Sequence, residues 1–282
     1  MPTSEPNIDL HTHSYFSDGI LSPADLVQRA VGQGVSVLAL TDHDTTAGIA
    51  QAQAAAQALE LELIAGVEIS TSWSGHTIHV LGLRIDVTSS ALQQGIAQIA
   101  LQREERAMEM GRKLEKAGIP AAFENAKQLA GIGLVTRTHF ARYILSLQKA
   151  KTMQQVFERY LGQGKAGFVN AQWASIADAV AWIRQAGGQA VIAHPARYKM
   201  TATKLRSLIK AFKEAGGEGL EVAYGNYSAA DMQKIANLAV EFALLASRGS
   251  DFHGIEHQYA EVGRAPPLPG QVTPIWKDWP AH

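Results

Sequence analysis

The sequence predicts an α/β fold, a β/α barrel carrying a helical insertion. Three observations predict it. Short apolar runs alternate with helical stretches over residues 7–83 and again over 175–253. The runs are almost continuously apolar, as in Val35-Ser36-Val37-Leu38-Ala39-Leu40, which marks strands of a parallel sheet covered on both faces by helices. Between these two stretches the strand signals vanish and helical patterns dominate. Residues 89–165 therefore read as an insertion, and 1–88 with 166–282 as the barrel domain.

Asn7 to His13 reads as the first strand. Ser22-Pro23-Ala24-Asp25 starts a helix: Ser22 caps, Pro23 suits the first turn and Asp25 favours the positive end of the dipole. It runs to about Gly32, with Gly34 as terminator. Val35–Leu40 is a strand, Thr46–Leu59 an Ala-rich helix, and Leu61–Ile69 and Ile78–Leu83 are strands. The insertion holds helices at Ala91–Ala117, Glu124–Ala130, Thr138–Leu147 and Met153–Leu161; its Arg103-Glu104-Glu105-Arg106 run reads as a solvated face. Then come a helix at Ser175–Ala186, a strand at Ala190–Ala193, a helix at Thr203–Ala215, a strand at Gly219–Ala223, a helix at Ala229–Glu241 and a strand at Ala243–Ala246. The proline-rich tail from Pro266 is expected to wrap the surface.

Composition narrows the function classes. Cysteine is absent, which excludes disulfides, thiolate metal sites and cysteine nucleophiles. A net charge of -1 gives no broad basic field for nucleic acid, although a local positive site can still take a small anion. No apolar run approaches the ~20 residues of a membrane span. The first strand starts by about Ile8, leaving no room for a cleavable signal peptide, so a cytoplasmic location is expected; no protein partner is evident in the sequence.

The ten histidines are informative by position. His11 and His13 stand two apart on one strand and so face one side. Asp42 and His43 follow the next strand, Glu68 ends the third and His79 lies in the fourth. His194 ends a later one, and Asp251 and His253 follow the last. Barrel strands open on one face at their carboxyl ends, so these distant residues are expected to converge. An imidazole and carboxylate set suits divalent Mn, Fe or Zn better than Mg or Ca. His76, His257 and His282 lack such positions and read as surface residues.

Six stretches carry a resemblance. They are Asp9-Leu10-His11-Thr12-His13 with Ser17-Asp18-Gly19, Leu40-Thr41-Asp42-His43-Asp44, Gly66-Val67-Glu68, His79, Ala193-His194-Pro195, and Gly249-Ser250-Asp251-Phe252-His253. As an ordered set the chain resembles the polymerase and histidinol phosphatase (PHP) superfamily of metal-dependent phosphoesterases. The resemblance implies a distorted seven-stranded barrel and up to three metal ions, Mn first, with Fe or Zn as alternatives. It implies His11, His13, Asp18, His43, Glu68, His79, His194, Asp251 and His253 as ligands, with Glu68 bridging and Asp42 behind them. The nucleophile it implies is a metal-bridging hydroxide, with no protein nucleophile. Three divalent ions, three carboxylates and a hydroxide leave roughly two positive charges, which a terminal phosphate monoester neutralises.

Within the insertion, Thr136-Arg137-Thr138-His139-Phe140-Ala141-Arg142 places Arg137 and His139 at a helix start, where free N–H groups favour anions. Arg137 suits bidentate binding of a second phosphate; a surface arginine and a capping histidine are the alternative. Lys165, Arg197 and Asn226 are further candidates for substrate contact, and Tyr224 or Phe252 for stacking a base. The Arg-x-His-x-Ala stretch resembles a subgroup that includes nucleoside 3',5'-bisphosphate phosphatases and enzymes trimming short RNA from the 5' end. The expected activity is removal of the 3'-phosphate from a nucleoside 3',5'-bisphosphate. The alternatives are a 5'-3' exoribonuclease on short RNA, a histidinol phosphatase and an inactive metal-binding module.

Overall fold

A computed structural model describes residues 6–255 and 260–280. His257 and His282 lie outside them. Among the described residues no helix is long and apolar enough to cross a membrane.

The barrel strands are β1 Ile8–Asp9, β2 Val37–Leu40, β3 Glu62–Trp73 and β4 His76–Leu83, followed after the insertion by β6 Gln189–Ile192, β7 Gly219–Tyr224 and β8 Leu245–Gly249. A two-residue strand, β5 Ala174–Ser175, pairs only with β3. The path β1-β2-β3-β4-β6-β7-β8 forms a nearly closed barrel, its ends joined where Leu10 N–H donates to Arg248 O at 3.0 Å and His13 N–H to Phe252 O at 2.9 Å.

The sheet is not wholly parallel, as the apolar runs suggested. β4 is antiparallel to both β3 and β6. The cause is local: Ser74 (φ 47°) and Gly75 (φ 79°) form a two-residue hairpin with positive φ at both positions, which matches strand twist and turns the chain straight back. The start of β4, with His79, therefore lies beside the carboxyl half of β3, where Ser70 pairs with His79. β1 is shorter than expected, yet the Thr12–Phe252 bridge carries parallel pairing past His11.

The barrel helices are α1 Pro23–Gly32, α2 Ile49–Ala58, α7 Ile176–Gln185, α8 Ala202–Glu214 and α9 Ala229–Glu241. Ser22 caps α1 by accepting from Asp25 N–H, and Ser175 and Asp178 form a capping box on α7. The stretch read from the sequence as an insertion comprises α3 Ser90–Lys116, α4 Ala122–Ala130, α5 Arg137–Ser146 and α6 Met153–Val156. The expected single helix to Leu161 is broken: a π turn occupies Phe157–Leu161. α3 serves two cores. Leu92, Ile96 and Ile99 pack on the barrel with Val180 and Ile183, whereas Ala107, Met110 and Leu114 pack with Phe140, Ile144 and Val156 of the insertion.

Ile8, Leu10, Ala39, Ile64, Leu81, Leu83 and Val191 fill the barrel interior. The tail does more than wrap the surface: Ile275 joins this cluster at 2 % exposure, and Trp279 donates from Nε1 to Gln189 Oε1 at 2.7 Å.

Closure leaves no space at Gly249. A Cβ there would stand 2.3 Å from His11 Cβ and 2.8 Å from Glu221 Oε1. Gly249→Ala is expected to destabilise the protein by about 1–3 kcal/mol or more. The check is the urea midpoint; an unchanged midpoint would refute this close approach.

Candidate metal centre and substrate cleft

Strand ends, the loops after them and the start of β4 bring all nine sequence-predicted ligands to one place. Three groups of donor atoms lie within 4.8 Å of one another: His13, Asp18, His43 and His253; His11, His13, Glu68 and Asp251; and His43, Glu68 and His79. His194 stands outside these groups but reaches Glu68, its Nε2 3.2 Å from Oε1. Glu68 is central. Its Oε1 is 2.9 Å from His79 Nδ1, and its Oε2 is 2.9 Å from His43 Nδ1, 3.3 Å from His13 Nε2 and 3.4 Å from His11 Nε2. His11 and His13 thus present the same ring nitrogen to the same carboxylates, as their alternation predicts; Asp251 Oδ1 is 3.3 and 3.1 Å from them.

Two observations show that the cluster suits a divalent cation. Most buried polar atoms in proteins are hydrogen-bonded. Here His11 Nε2, His13 Nε2, Asp18 Oδ1, His43 Nδ1, Glu68 Oε2, His79 Nδ1 and His194 Nδ1 are buried without a hydrogen-bond partner among the described residues. The second observation is charge. Burial opposes ionisation of the carboxylates, yet His253 beside Asp18, His43 beside Glu68 and His11 beside Asp251 hold each well below the usual carboxylate range. Burial likewise opposes charge on His13, but Asp251 and Glu68 raise it to about 10. A cation held among these residues would neutralise the same carboxylates and leave the imidazole lone pairs free to bind it. His194 is pushed down to about 4, chiefly by burial, and so stays neutral and able to act as a donor.

The backbone is strained at this site. His194 (φ 32°), Asp251 (φ 54°) and Asp44 (φ 52°) occupy the left-handed region, which costs non-glycine residues about 1 kcal/mol or more each. Asp42 stands behind this cluster, accepting from Ser14 N–H at 2.7 Å, Ser14 Oγ at 2.6 Å and Ser17 Oγ at 2.6 Å.

The cluster opens into a cleft of about 460 Å³. Asp18, His43, Glu68, His79, His194, Asp251 and His253 line it together with Arg103, Arg106, Arg137 and Arg197; His11 and His13 are fully buried behind.

The PHP domain family matches residues 9–224, over three quarters of the chain. The chain belongs to the PHP family. A Haemophilus influenzae protein named 5'-3' exoribonuclease is 50% identical over 269 residues, 95% of this chain and 97% of that one. A Chromobacterium violaceum 3',5'-nucleoside bisphosphate phosphatase is 47% identical over 277 residues, 98% and 97% of the two chains. A solved structure from Chromobacterium violaceum, described as an amidohydrolase with bound sulfate and no metal, superposes with a TM-score of 0.92 at 47% identity, over 96% of this chain and 94% of that one.

The PHP chain departs from the sequence expectations at several substrate-contact positions. Arg137 and Arg197 line the cleft; His139, Lys165 and Asn226 do not. His139 is 2 % exposed, and its Nδ1 accepts from Thr136 N–H at 3.0 Å, closing a capping box on α5. Lys165 and Asn226 are exposed, carried outward by turns flanked by glycine. Phe252 is packed in the core beside α1. Tyr224 is buried too and donates to Asp251 Oδ2 at 2.8 Å, so it orients a carboxylate instead of stacking a base. His76 is only partly exposed, 2.9 Å from Lys204 Nζ.

The Arg103–Arg106 run is solvated at Glu104 and Glu105 but not at its two arginines. Arg103 is 6 % exposed and donates to Asp44 Oδ2 at 2.5 Å and Ser70 Oγ at 2.8 Å. Arg106 is half-buried in the cleft, and burial with Arg137 and Arg103 nearby lowers it to about 9. Glu221 also escaped the sequence reading. Fully buried in β7, its Oε1 accepts from His11 Nδ1 at 2.9 Å and its Oε2 from His194 N–H at 2.6 Å. A carboxylate inside Gly219-Leu220-Glu221-Val222 was the available signal.

The capping role of His139 has a pH consequence. Burial, helped by Arg142 and Arg103, pushes it down to about 4. As pH falls below about 6.5 the unfolded chain takes a proton that the folded chain refuses until about pH 4. Folding stability is therefore full above pH 6.5 and falls by at most roughly 3 kcal/mol toward pH 4. His139→Gln should flatten this part of the stability profile. Parallel urea-midpoint profiles for the two proteins would exclude the assignment.

Proposed function

We propose that this protein is a metal-dependent phosphatase that removes the 3'-phosphate of nucleoside 3',5'-bisphosphates. One observation carries the reading: a single cleft joins a nest of unpartnered imidazole and carboxylate atoms to Arg106 and Arg137, neither of which forms an ion pair among the described residues. One phosphate would sit on the metal centre and the second on the arginines. Arg137 leans over Phe157, its Cζ 5.9 Å from the ring centroid, which leaves guanidinium edges for a bidentate anion. Relatives named for bisphosphate phosphatase activity and for exoribonuclease activity cover nearly the whole chain.

His11, His13, Asp18, His43, Glu68, His79, His194, Asp251 and His253 would hold up to three divalent ions, manganese first, with Glu68 shared between them. When bound, the ions supply Lewis acidity to phosphoryl oxygens and lower the pKa of bound water toward ~7. Arg197 would touch the reacting phosphate, since it already donates to Asp251 Oδ2 at 3.2 Å at the cleft wall. No protein nucleophile is required.

A second reading, 5'-3' exoribonuclease on short 5'-phosphorylated RNA, is favoured by the relative at 50% identity. The deciding experiment offers Mn-loaded protein 3',5'-bisphosphate nucleotides, mononucleotides, histidinol phosphate and short 5'-phosphorylated RNA. Preference for the bisphosphate supports the first reading. Faster release of mononucleotides from RNA selects the second, and no turnover of any sets both aside.

Chelation supplies a separate check. Removing the ions should abolish turnover, and manganese should restore it. An ion at one hundred times its Kd stabilises the fold by about 2.7 kcal/mol, so the thermal midpoint should fall by several degrees on chelation. An unchanged midpoint and rate would argue against a resident metal.

A further inference from the structure

Of the three donor groups, two draw their orientation from barrel residues. The third, His13, Asp18, His43 and His253, takes the orientation of Asp18 from the insertion, while Ser17 Oγ and the Asp251 carbonyl hold His13 and His253 from within the barrel. Asp18 points Oδ1 into this group, 3.2 Å from His253 Nε2 and 3.9 Å from His43 Nε2, and that oxygen has no hydrogen bond among the described residues. Its other oxygen is gripped from the insertion. Oδ2 accepts from Thr138 Oγ1 at 2.8 Å and from Thr136 Oγ1 at 3.3 Å, residues 120 and 118 positions away in the chain. Arg142 Nη2 donates to the backbone carbonyl of Asp18 at 3.0 Å, and Leu134 N–H donates to Phe16 O at 3.1 Å. The loop bearing Asp18 is thus stitched to the start of α5. The insertion also meets the barrel through α3, where Leu92, Ile96 and Ile99 join the barrel core and Arg103 donates to Asp44 and Ser70.

We propose that Thr138 is a positioning residue for one ion only, the ion held by His13, Asp18, His43 and His253, and that the docked insertion thereby completes that ion's site. The inference rests on the metal-dependent reading above. A carboxylate turns about its terminal bond at little cost, so a ligand oxygen stays aimed only if its partner oxygen is held. Thr138 is the shorter of the two hydroxyl contacts, and its own N–H is anchored on Thr136 Oγ1 at 3.1 Å. Without it, Asp18 turns between the ion and the cleft. Loss of such supporting hydrogen bonds typically weakens a metal site by about 10–100-fold.

The test compares wild type, Thr138→Val and Thr138→Ser in the full chain. Each is stripped with chelator and titrated with Mn²⁺ by calorimetry, with bound ions counted by elemental analysis. Thr138→Val should lose or weaken one class of site by about 10–100-fold while the others keep wild-type affinity. Thr138→Ser, which keeps the hydroxyl, should restore that class. Three results overturn the proposal: unchanged affinity in Thr138→Val at every class, equal weakening at all classes, or no recovery in Thr138→Ser. Urea midpoints taken alongside identify a general folding defect, which accompanies the second result. Failure of the wild type to bind any Mn²⁺ strikes the functional reading itself, so the two failures are separable.

Discussion

His13→Ala is expected to reduce phosphate release by at least ~10³-fold. His13 belongs to two of the three donor groups, so its removal takes an imidazole from the middle of the centre. Its Nε2 faces Asp251 Oδ1 at 3.1 Å and Glu68 Oε2 at 3.3 Å, and its ring stacks on His253 with centroids 4.1 Å apart. Alanine also leaves a void in a fully buried place, so some loss of stability accompanies the loss of activity. His13→Gln, which fills more of the space without a ring nitrogen, separates the two effects. Metal content, circular dichroism and phosphate release are measured together. Near-normal turnover with full metal occupancy in either variant would sink the assignment. Asp251→Ala should behave similarly, because Asp251 faces both His11 and His13.

Arg137→Ala carries the next largest effect, and it is a selective one. A charge-assisted hydrogen bond is worth about 1.5–3 kcal/mol, so kcat/KM for a 3',5'-bisphosphate nucleotide should fall by about 10–150-fold. A simple phosphate monoester, which places nothing on the arginines, should lose far less. Arg137→Lys keeps the charge but not the planar fork and should fall between. Equal loss on both substrates would mean that Arg137 acts at the metal centre and not at a second phosphate. Thr138 is its neighbour in the chain and grips Asp18, so the metal content of the variant must be counted in the same preparation.

The parts legible in the sequence were those with local signatures. Each apolar run announced a strand, and each ionisable residue at its end announced a place on the open face. Caps such as Ser22 and Ser175 and the helix-period insertion were visible for the same reason. Direction was harder. Ser74-Gly75 is a hairpin signal two residues long, and it alone turns β4 against its neighbours. The Arg-Glu-Glu-Arg run has the alternating charge of a solvent face; its partners Asp44 and Ser70 lie 59 and 33 positions earlier and leave no trace nearby. His139 carried two readings, substrate contact and cap, and the inward turn of its Nδ1 toward Thr136 decided for the cap.

The sequence by itself determined the donor inventory, the strand and helix segments and the phosphate-seeking chemistry of this PHP protein, because residue type and short-range spacing encode them. Only the tertiary structure decided which oxygen of Asp18 meets the centre, how Glu221 steadies His11 and His194, and which arginines enter the cleft. Those outcomes rest on contacts between segments far apart in the chain, and a contact of a few ångströms between distant segments is set by how the whole barrel closes.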